Sequence, residues 1–261
     1  MPRRGSDQHY LEDSNRAVYG SESAAKAYMR VSSLQEAERV ILARIFPDIQ
    51  GKRILDIGVG GGRTTAYLHH VSSHYVGIDY SLAMVEAARR KTGLSSIYCC
   101  DAQDMRRFED EAFDFVFFSF NGLDYMPHQN RLRAISEIYR VLAGGGWFLF
   151  SSHNRSGKAA KPPWRQSNGA FSLHFAKSCL DALLALPRHW RLRQYELHED
   201  EYAILNDPAF SYSLMTYYID IPQQLAQLAK IGFVQIEAFD SHGQRTHKDD
   251  QSPWLHYLAR K

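Results

Sequence analysis

Between Ile54 and Gly62 the sequence reads Ile-Leu-Asp-Ile-Gly-Val-Gly-Gly-Gly, an apolar run that ends in a turn almost bare of side chains. Glycines let the main chain approach a ligand closely, and a following helix offers unpaired amide donors to a negative group. The chemistry this suits is capture of a nucleotide-like cofactor. Asp79 stands roughly 20 residues beyond the loop, at the end of the run Tyr75 to Asp79, where a carboxylate can accept hydrogen bonds from both hydroxyls of a ribose. A dinucleotide fingerprint, Gly-x-Gly-x-x-Gly, does not fit, because counting from Gly58 puts Arg63 where the third glycine belongs.

A second group of reactive residues closes the later apolar runs. Ser119-Phe120-Asn121-Gly122-Leu123-Asp124-Tyr125 follows one, and Ser151-Ser152-His153-Asn154 ends the next. In a parallel sheet such ends meet at one rim. Asn121, Tyr125, His153 and Asn154 are therefore the candidates for a substrate pocket, with His153 as general base and Asp124 or His128 as alternatives. A base must come within ~3 Å of the proton it removes. Trp164, Tyr217 and Tyr218 add aromatic surface for enclosing an organic acceptor, and Lys158, Lys161 and Arg165 are cations that an anionic acceptor would meet.

Positioning these groups requires a sheet whose strands end together. Short apolar runs alternate with helical patterns through the middle of the chain, the rhythm of a parallel sheet covered by helices. Strands are expected at Arg53 to Ile57, Tyr75 to Asp79, Ile97 to Asp101, Phe113 to Phe120 and Trp147 to Ser152. Leu132, Ile135, Ile138, Tyr139 and Leu142 mark a helix that Gly144 to Gly146 breaks. Ser33 is expected to cap an earlier helix through Leu34, Ala37, Val40, Ile41 and Ile45, with Pro47 at its end. Late in the chain Pro222 opens a helix that Gly232 ends, and Phe233 to Phe239 and Trp254 to Ala259 read as closing strands.

The expected organisation is an N-terminal helical lid (1–49), a cofactor-binding α/β core (50–153), an inserted substrate cap (154–220) with one helical pattern from Ala176 to Leu186, and a C-terminal helix and strands (221–261) that complete the core. Basic and acidic residues nearly cancel, 31 against 29, so composition gives nucleic acid little support as a partner. Three cysteines, Cys99, Cys100 and Cys179, form neither a disulfide framework nor a metal-ligand spacing, so no metal is expected. With no signal-like apolar stretch and no run near the ~20 residues of a membrane span, the expectation is a cytoplasmic protein without a membrane partner, monomeric or homodimeric.

Asp56-x-Gly58-x-Gly60-x-Gly62 resembles the first motif of class I S-adenosylmethionine-dependent methyltransferases at every defined position. Further matches follow in that family's order: Gly77-Ile78-Asp79, Cys100-Asp101-Ala102, Phe113-Asp114-Phe115-Val116, and Arg140-Val141-Leu142 before Gly144-Gly145-Gly146. The resemblance covers residues 40 to 153 and the closing elements. It implies an α/β, doubly wound, mostly parallel seven-stranded sheet of order 3-2-1-4-5-7-6 with strand seven antiparallel. It also implies S-adenosyl-L-methionine as cofactor, held by Asp56, Gly58, Gly60, Gly62, Asp79, Tyr80, Asp101, Ala102, Phe120 and Asn121. Asp101 would take the adenine amino group, and the next backbone amide would meet the ring. Tyr19, Tyr28 and Arg30 fall where similar enzymes fold a lid over the cofactor, with Arg30 toward the methionine carboxylate. The implied reaction is methyl transfer to an oxygen, nitrogen or carbon of a small metabolite. The alternatives are an RNA or protein methyltransferase, or a non-catalytic binder of the cofactor. An Asn/Asp/Ser-Pro-Pro-aromatic signature, usual in enzymes that methylate base amino groups, is missing from Ser119 to Gly122.

Overall fold

Burial alternates along the central strands in the way two helical layers demand. On one face Leu55, Val116, Phe148 and Phe150 pack with Ile135 and Ile138 of a following helix and Leu228 of a late one. On the other, Ile54, Phe115, Phe117 and Leu149 pack with Ile41, Leu42 and Ile45 of an early helix and with Leu68 and Val85. A one-residue slip would send each of these side chains to the opposite face, so register is fixed by the pattern itself.

The computed structural model describes residues 4–157, 184–207, 211–247 and 250–261, with side chains from residue 12 onward. Helices α1 (Arg4–Tyr19), α2 (Glu22–Met29) and α3 (Glu36–Ile49) open the chain. There follow β1 (Ile54–Ile57), α4 (Thr65–Val71), β2 (Tyr75–Asp79), α5 (Leu82–Thr92), β3 (Ile97–Cys99) and β4 (Phe113–Phe118). A 3-10 turn, Gly122–Tyr125, leads into α6 (His128–Val141) and β5 (Leu142–Asn154). Beyond these lie α7 (184–193), β6 (Leu197–His198), β7 (Tyr202–Asn206), β8 (Met215–Ile219), α8 (Ile221–Ile231), β9 (Val234–Phe239) and β10 (Trp254–Arg260).

Strands β3, β2, β1, β4 and β5 lie side by side and parallel. β10 runs antiparallel between β5 and β9, which completes the expected arrangement, with the last strand in sequence inserted next to the fifth. The sheet then continues past seven strands, to ten among the described residues. β4 pairs with β5 only as far as Phe118 and Phe150, and β10 takes the opposite edge from Trp147 to His153. The tip of β5 beyond β4 is therefore open on one side, and β8 fills it by parallel pairing at His153 and Asn154. β7 and β6 follow in antiparallel order. Part of the region expected as a separate cap is thus continuous with the core sheet.

Several boundaries differ from the sequence expectation. α3 begins at Glu36 rather than after Ser33, because Glu38 reaches back to accept the Gln35 N–H at 2.8 Å. Pro47 sits inside its last turn, and the helix runs on so that Ile49 stays buried with Ile41 and Ile45. β3 stops at Cys99, which leaves Asp101 in the turn beyond, and Phe120 lies past β4 with a left-handed φ of 55°. The glycines from 144 to 146 lie within β5 instead of separating it from α6. Of the expected helix from Ala176 to Leu186, residues 176–183 lie outside the described residues, and helix is present from 184. No described helix is long and apolar enough to cross a membrane.

Candidate active site

The loop after β1 is shaped by close approach. Gly58 has φ 66°, and a Cβ there would stand 2.8 Å from the Phe118 ring. No L side chain fits that geometry without displacing β4. Gly62, expected at the cofactor, instead seats the loop on α5: its φ is 79°, and a Cβ would meet Thr92 and Ala88 at 3.2–3.5 Å. Asp56 also braces the loop. It is buried beneath the loop and accepts the Thr64 and Tyr75 hydroxyls at 2.7 and 2.8 Å, and burial pushes its carboxyl up to about 7.

Asp79 joins loop to strand. One carboxylate oxygen accepts the Gly60 N–H at 3.0 Å and the other the Ser81 N–H at 2.9 Å, which leaves lone pairs toward the open end of the sheet. Burial pushes its carboxyl up to about 6, with those two amides pulling the other way. A cavity opens there, floored by Gly58, Gly60, Asp79, Tyr80, Asp101 and Phe120. A buried carboxylate beside a side-chain-free turn fits the cofactor that the sequence motif implies. Asp79 would hold the ribose, and Gly58 and Gly60 would pass main chain along the methionine portion. The Ala102 side chain packs in the hydrophobic core, and the group expected at the adenine ring is its backbone amide.

The roof comes from the N-terminal helices. Asn15, Arg16 and Tyr19 of α1 and Tyr28 of α2 line the cavity, with Tyr125 and Met126 as the far wall. The ring centroids of Tyr19 and Tyr125 are 4.9 Å apart, and those of Tyr28 and Phe120 are 6.3 Å apart. Arg30, which caps the C-terminus of α2, is exposed and is not among the lining residues. The cation beside the loop is Arg63, buried against Glu38 of α3 at 2.6 Å, hydrogen-bonded to Ser119 and lying over the Phe120 ring at 4.5 Å.

Asp124 and His153 come together, but not as alternatives. Asp124 is fully buried and accepts four donors: Arg131 at 2.5 Å, the Ser152 hydroxyl at 2.7 Å, the His153 backbone N–H at 2.6 Å and His153 Nδ1 at 2.7 Å. A carboxylate only accepts, so Nδ1 carries the proton and Nε2 keeps a lone pair. Asn121 Nδ2 lies 3.3 Å from that Nε2, and Asn121 Oδ1 is buried with no hydrogen-bond partner among the described residues. Asn121 lies between Phe120 and Gly122, which both line the cavity, while its own side chain is buried toward His153. Asp124, expected as a catalytic alternative, is sealed away from any acceptor and can act only through His153.

The remaining substrate candidates separate. Tyr125 lines the cavity and meets the His153 ring edge-on at 6.2 Å. Tyr218 packs on His153 at 5.2 Å while its hydroxyl donates to Asp207. Tyr217 is buried in a stack with Tyr202 and His128, away from the cavity. Asn154 spends its amide on the Asp250 and Ser252 carbonyls and holds that loop. Trp164, Lys158, Lys161 and Arg165 lie outside the described residues.

Sequence reasoning missed Arg131, which is fully buried and also donates to Gln224 at 2.6 Å and covers the Tyr217 ring at 4.6 Å. One signal was present: Arg131, Ala134, Ile135 and Ile138 share the buried stripe of α6, so the arginine occupies a core position. Asn15 and Arg16 carried no such signal.

Comparison with known proteins places these residues in context. Residues 55–150 match a family described as a methyltransferase domain. A demethylmenaquinone methyltransferase of Clavibacter sepedonicus is 32% identical over 133 residues, covering 48% of this chain and 53% of the relative. A probable tRNA methyltransferase 9B of Homo sapiens is 32% identical over 133 residues, covering 51% of this chain and 26% of the relative. The chain thus spans about half the length of the first and about a quarter of the second. The crystal structure of an S-adenosylmethionine dependent methyltransferase from Mesorhizobium loti shares the fold with a TM-score of 0.57, at 19% identity over 86% of this chain and 98% of that one.

Proposed function

We propose that this chain, whose residues 55–150 match a methyltransferase domain family, is a class I S-adenosylmethionine-dependent methyltransferase that transfers a methyl group to a small organic acceptor with His153 as general base. The observation that carries this reading is the Asp124–His153–Asn121 chain, which lies behind the cavity-lining residues Phe120, Gly122 and Tyr125. When bound, the cofactor supplies an electrophilic methyl on its sulfonium. The protein's part is to hold a nucleophile in line and exclude water. Asn121 Oδ1 would accept the N–H or O–H of the acceptor. His153 Nε2 would take the proton as the new bond forms, after parting from the Asn121 amide. Asp124 holds Nδ1–H and steadies the resulting imidazolium.

A small acceptor is favoured because Tyr19, Tyr28 and Tyr125 enclose the cavity under two helices, which suits a compact molecule better than a polymer groove. The relatives include a tRNA methyltransferase by name, so tRNA is the control arm of the test. Consumption of S-adenosylmethionine would be measured against pooled metabolites and against total tRNA. Turnover with a metabolite pool, abolished in Asp79→Ala, is expected; turnover with tRNA alone would overturn the acceptor class.

A further inference from the structure

Arg16 enters the adenine end of the cavity from α1. Its guanidinium pairs with the Asp101 carboxylate and lies over the Tyr80 ring, 4.9 Å from the centroid. These are the two groups that an adenine ring would use here, one for its amino group and one for its face. A ring inserted between Tyr80 and the guanidinium needs about 7 Å, two contact distances of about 3.5 Å each. The observed 4.9 Å leaves no such space.

Arg16 is held in that position by built contacts. Glu12, one turn earlier on the same helix, accepts from Arg16 Nε at 3.0 Å. Glu12 is itself fixed by Gln103 at 3.1 Å and by Asn130 of α6 at 2.5 Å. Asn15 ties the helix down on its other side, donating to the Tyr125 and Met215 carbonyls at 3.0 and 2.8 Å. The guanidinium therefore arrives on an anchored helix, aimed by i, i+4 geometry.

We infer that Arg16 is an internal ligand of the adenine subsite, which the cofactor must displace from Asp101 and Tyr80, so that the position of α1 and the occupancy of the cavity are coupled. This rests on the reading of Asp101 and Tyr80 as the adenine subsite. A site whose competent form is only partly populated binds with an affinity reduced by that fraction. Removing the competitor restores it, and the coupling is reciprocal: cofactor loosens α1 as α1 opposes cofactor.

The test is S-adenosylhomocysteine binding by calorimetry to the full chain and to Arg16→Ala, a substitution that suits a half-exposed helix position. Arg16→Ala is expected to bind about tenfold more tightly. Glu12→Ala, which leaves Asp101 and Tyr80 intact and frees Arg16 together with the Gln103 and Asn130 contacts, is expected to move affinity the same way by less. Hydrogen exchange supplies an independent readout: amides of residues 12–19 should exchange faster when S-adenosylhomocysteine is present. Equal or weaker binding by Arg16→Ala, or slower exchange in that helix on binding, overturns the inference and leaves the cofactor assignment standing. Binding by neither protein overturns both.

Discussion

The Asp124 carboxylate grips His153 at two points through a single oxygen, with Oδ2 accepting the histidine's backbone N–H at 2.6 Å and its ring Nδ1 at 2.7 Å. The ring can then neither swing nor exchange tautomer without breaking a buried, charge-assisted bond. The relationship separates an orienting role at Asp124 from a proton-accepting role at His153, and the two are separable by experiment.

Substituting His153→Ala or Asp124→Asn is expected to lower methyl transfer by about 10²- to 10⁴-fold, the usual range for a lost general base. Neither side chain lines the cofactor cavity. The dissociation constant of S-adenosylhomocysteine should therefore stay within about twofold of the parent. Unchanged turnover in His153→Ala would remove the histidine from the reaction.

Arg131 and Asp124 form an ion pair with both side chains at 0% exposure. Removing one partner strands the other charge, so Arg131→Met should destabilise the fold by about 3–5 kcal/mol. Replacing both, as Arg131→Met with Asp124→Leu, should recover only part of that loss: no unpaired charge remains, but the Ser152 hydroxyl and the His153 N–H lose their acceptor. Urea unfolding followed by circular dichroism measures the difference, and a double variant no more stable than the single one would contradict it.

Cofactor affinity should depend on acid pH through Asp79. Its carboxyl is raised by burial to about 6, and only the ionised form accepts from both ribose hydroxyls. The S-adenosylhomocysteine dissociation constant is expected to be flat above about pH 7 and to rise about tenfold per pH unit below about pH 6. The same shift acts on stability with the opposite sense. A carboxyl raised on folding holds its proton better than the unfolded chain does, so its contribution favours the fold at low pH and is lost as pH rises through about 6. Calorimetric titration at several pH values checks the binding half, and an affinity indifferent to acid would count against Asp79 as the ribose ligand.

Gly61 carries a different constraint from its neighbours. A Cβ at this position would stand 2.5–2.7 Å from the backbone of Tyr28 and Met29. Gly61→Ala should therefore push the end of α2 off the loop while leaving the sheet intact. Expected results are faster proteolysis around residues 30–33 and cofactor binding weakened by at least about tenfold, with thermal unfolding of the core little changed. Retention of full affinity would show that α2 does not need to seat there.

What the sequence made legible was local. The loop at Gly58 and Gly60, the carboxylate at Asp79 and the parallel strands that carry them follow from residue types at fixed spacing, and the structure has them together. Asp56 and Gly62 belong to the same motif yet serve the loop's own packing, which spacing does not distinguish from ligand contact. His153 and Asp124 were each visible at a strand end, but their pairing depends on a turn at Gly122–Tyr125 and on Arg131, seven residues further along. The extension of the sheet through β8 was hidden because it answers to where β4 stops, a property of pairing rather than of either strand's composition. Arg16 and Asn15 sit in a polar helix, where one arginine looks like another until the fold brings Asp101 and Met215 to meet them.

The clasp between Asn15 and Met215 has a consequence in time. Its amide both donates to the Met215 carbonyl at 2.8 Å and accepts the Met215 N–H at 3.0 Å, acting as a one-residue strand partner across a separation of 200 residues. Chain synthesis delivers α1 200 residues before its mate, so the nascent protein builds its five parallel strands with the ceiling still unhung. Long-range closures of this kind come late and slowly. Ribosome-bound chains that end before Met215 should carry the open half of the vessel, and chains extended past it the covered one.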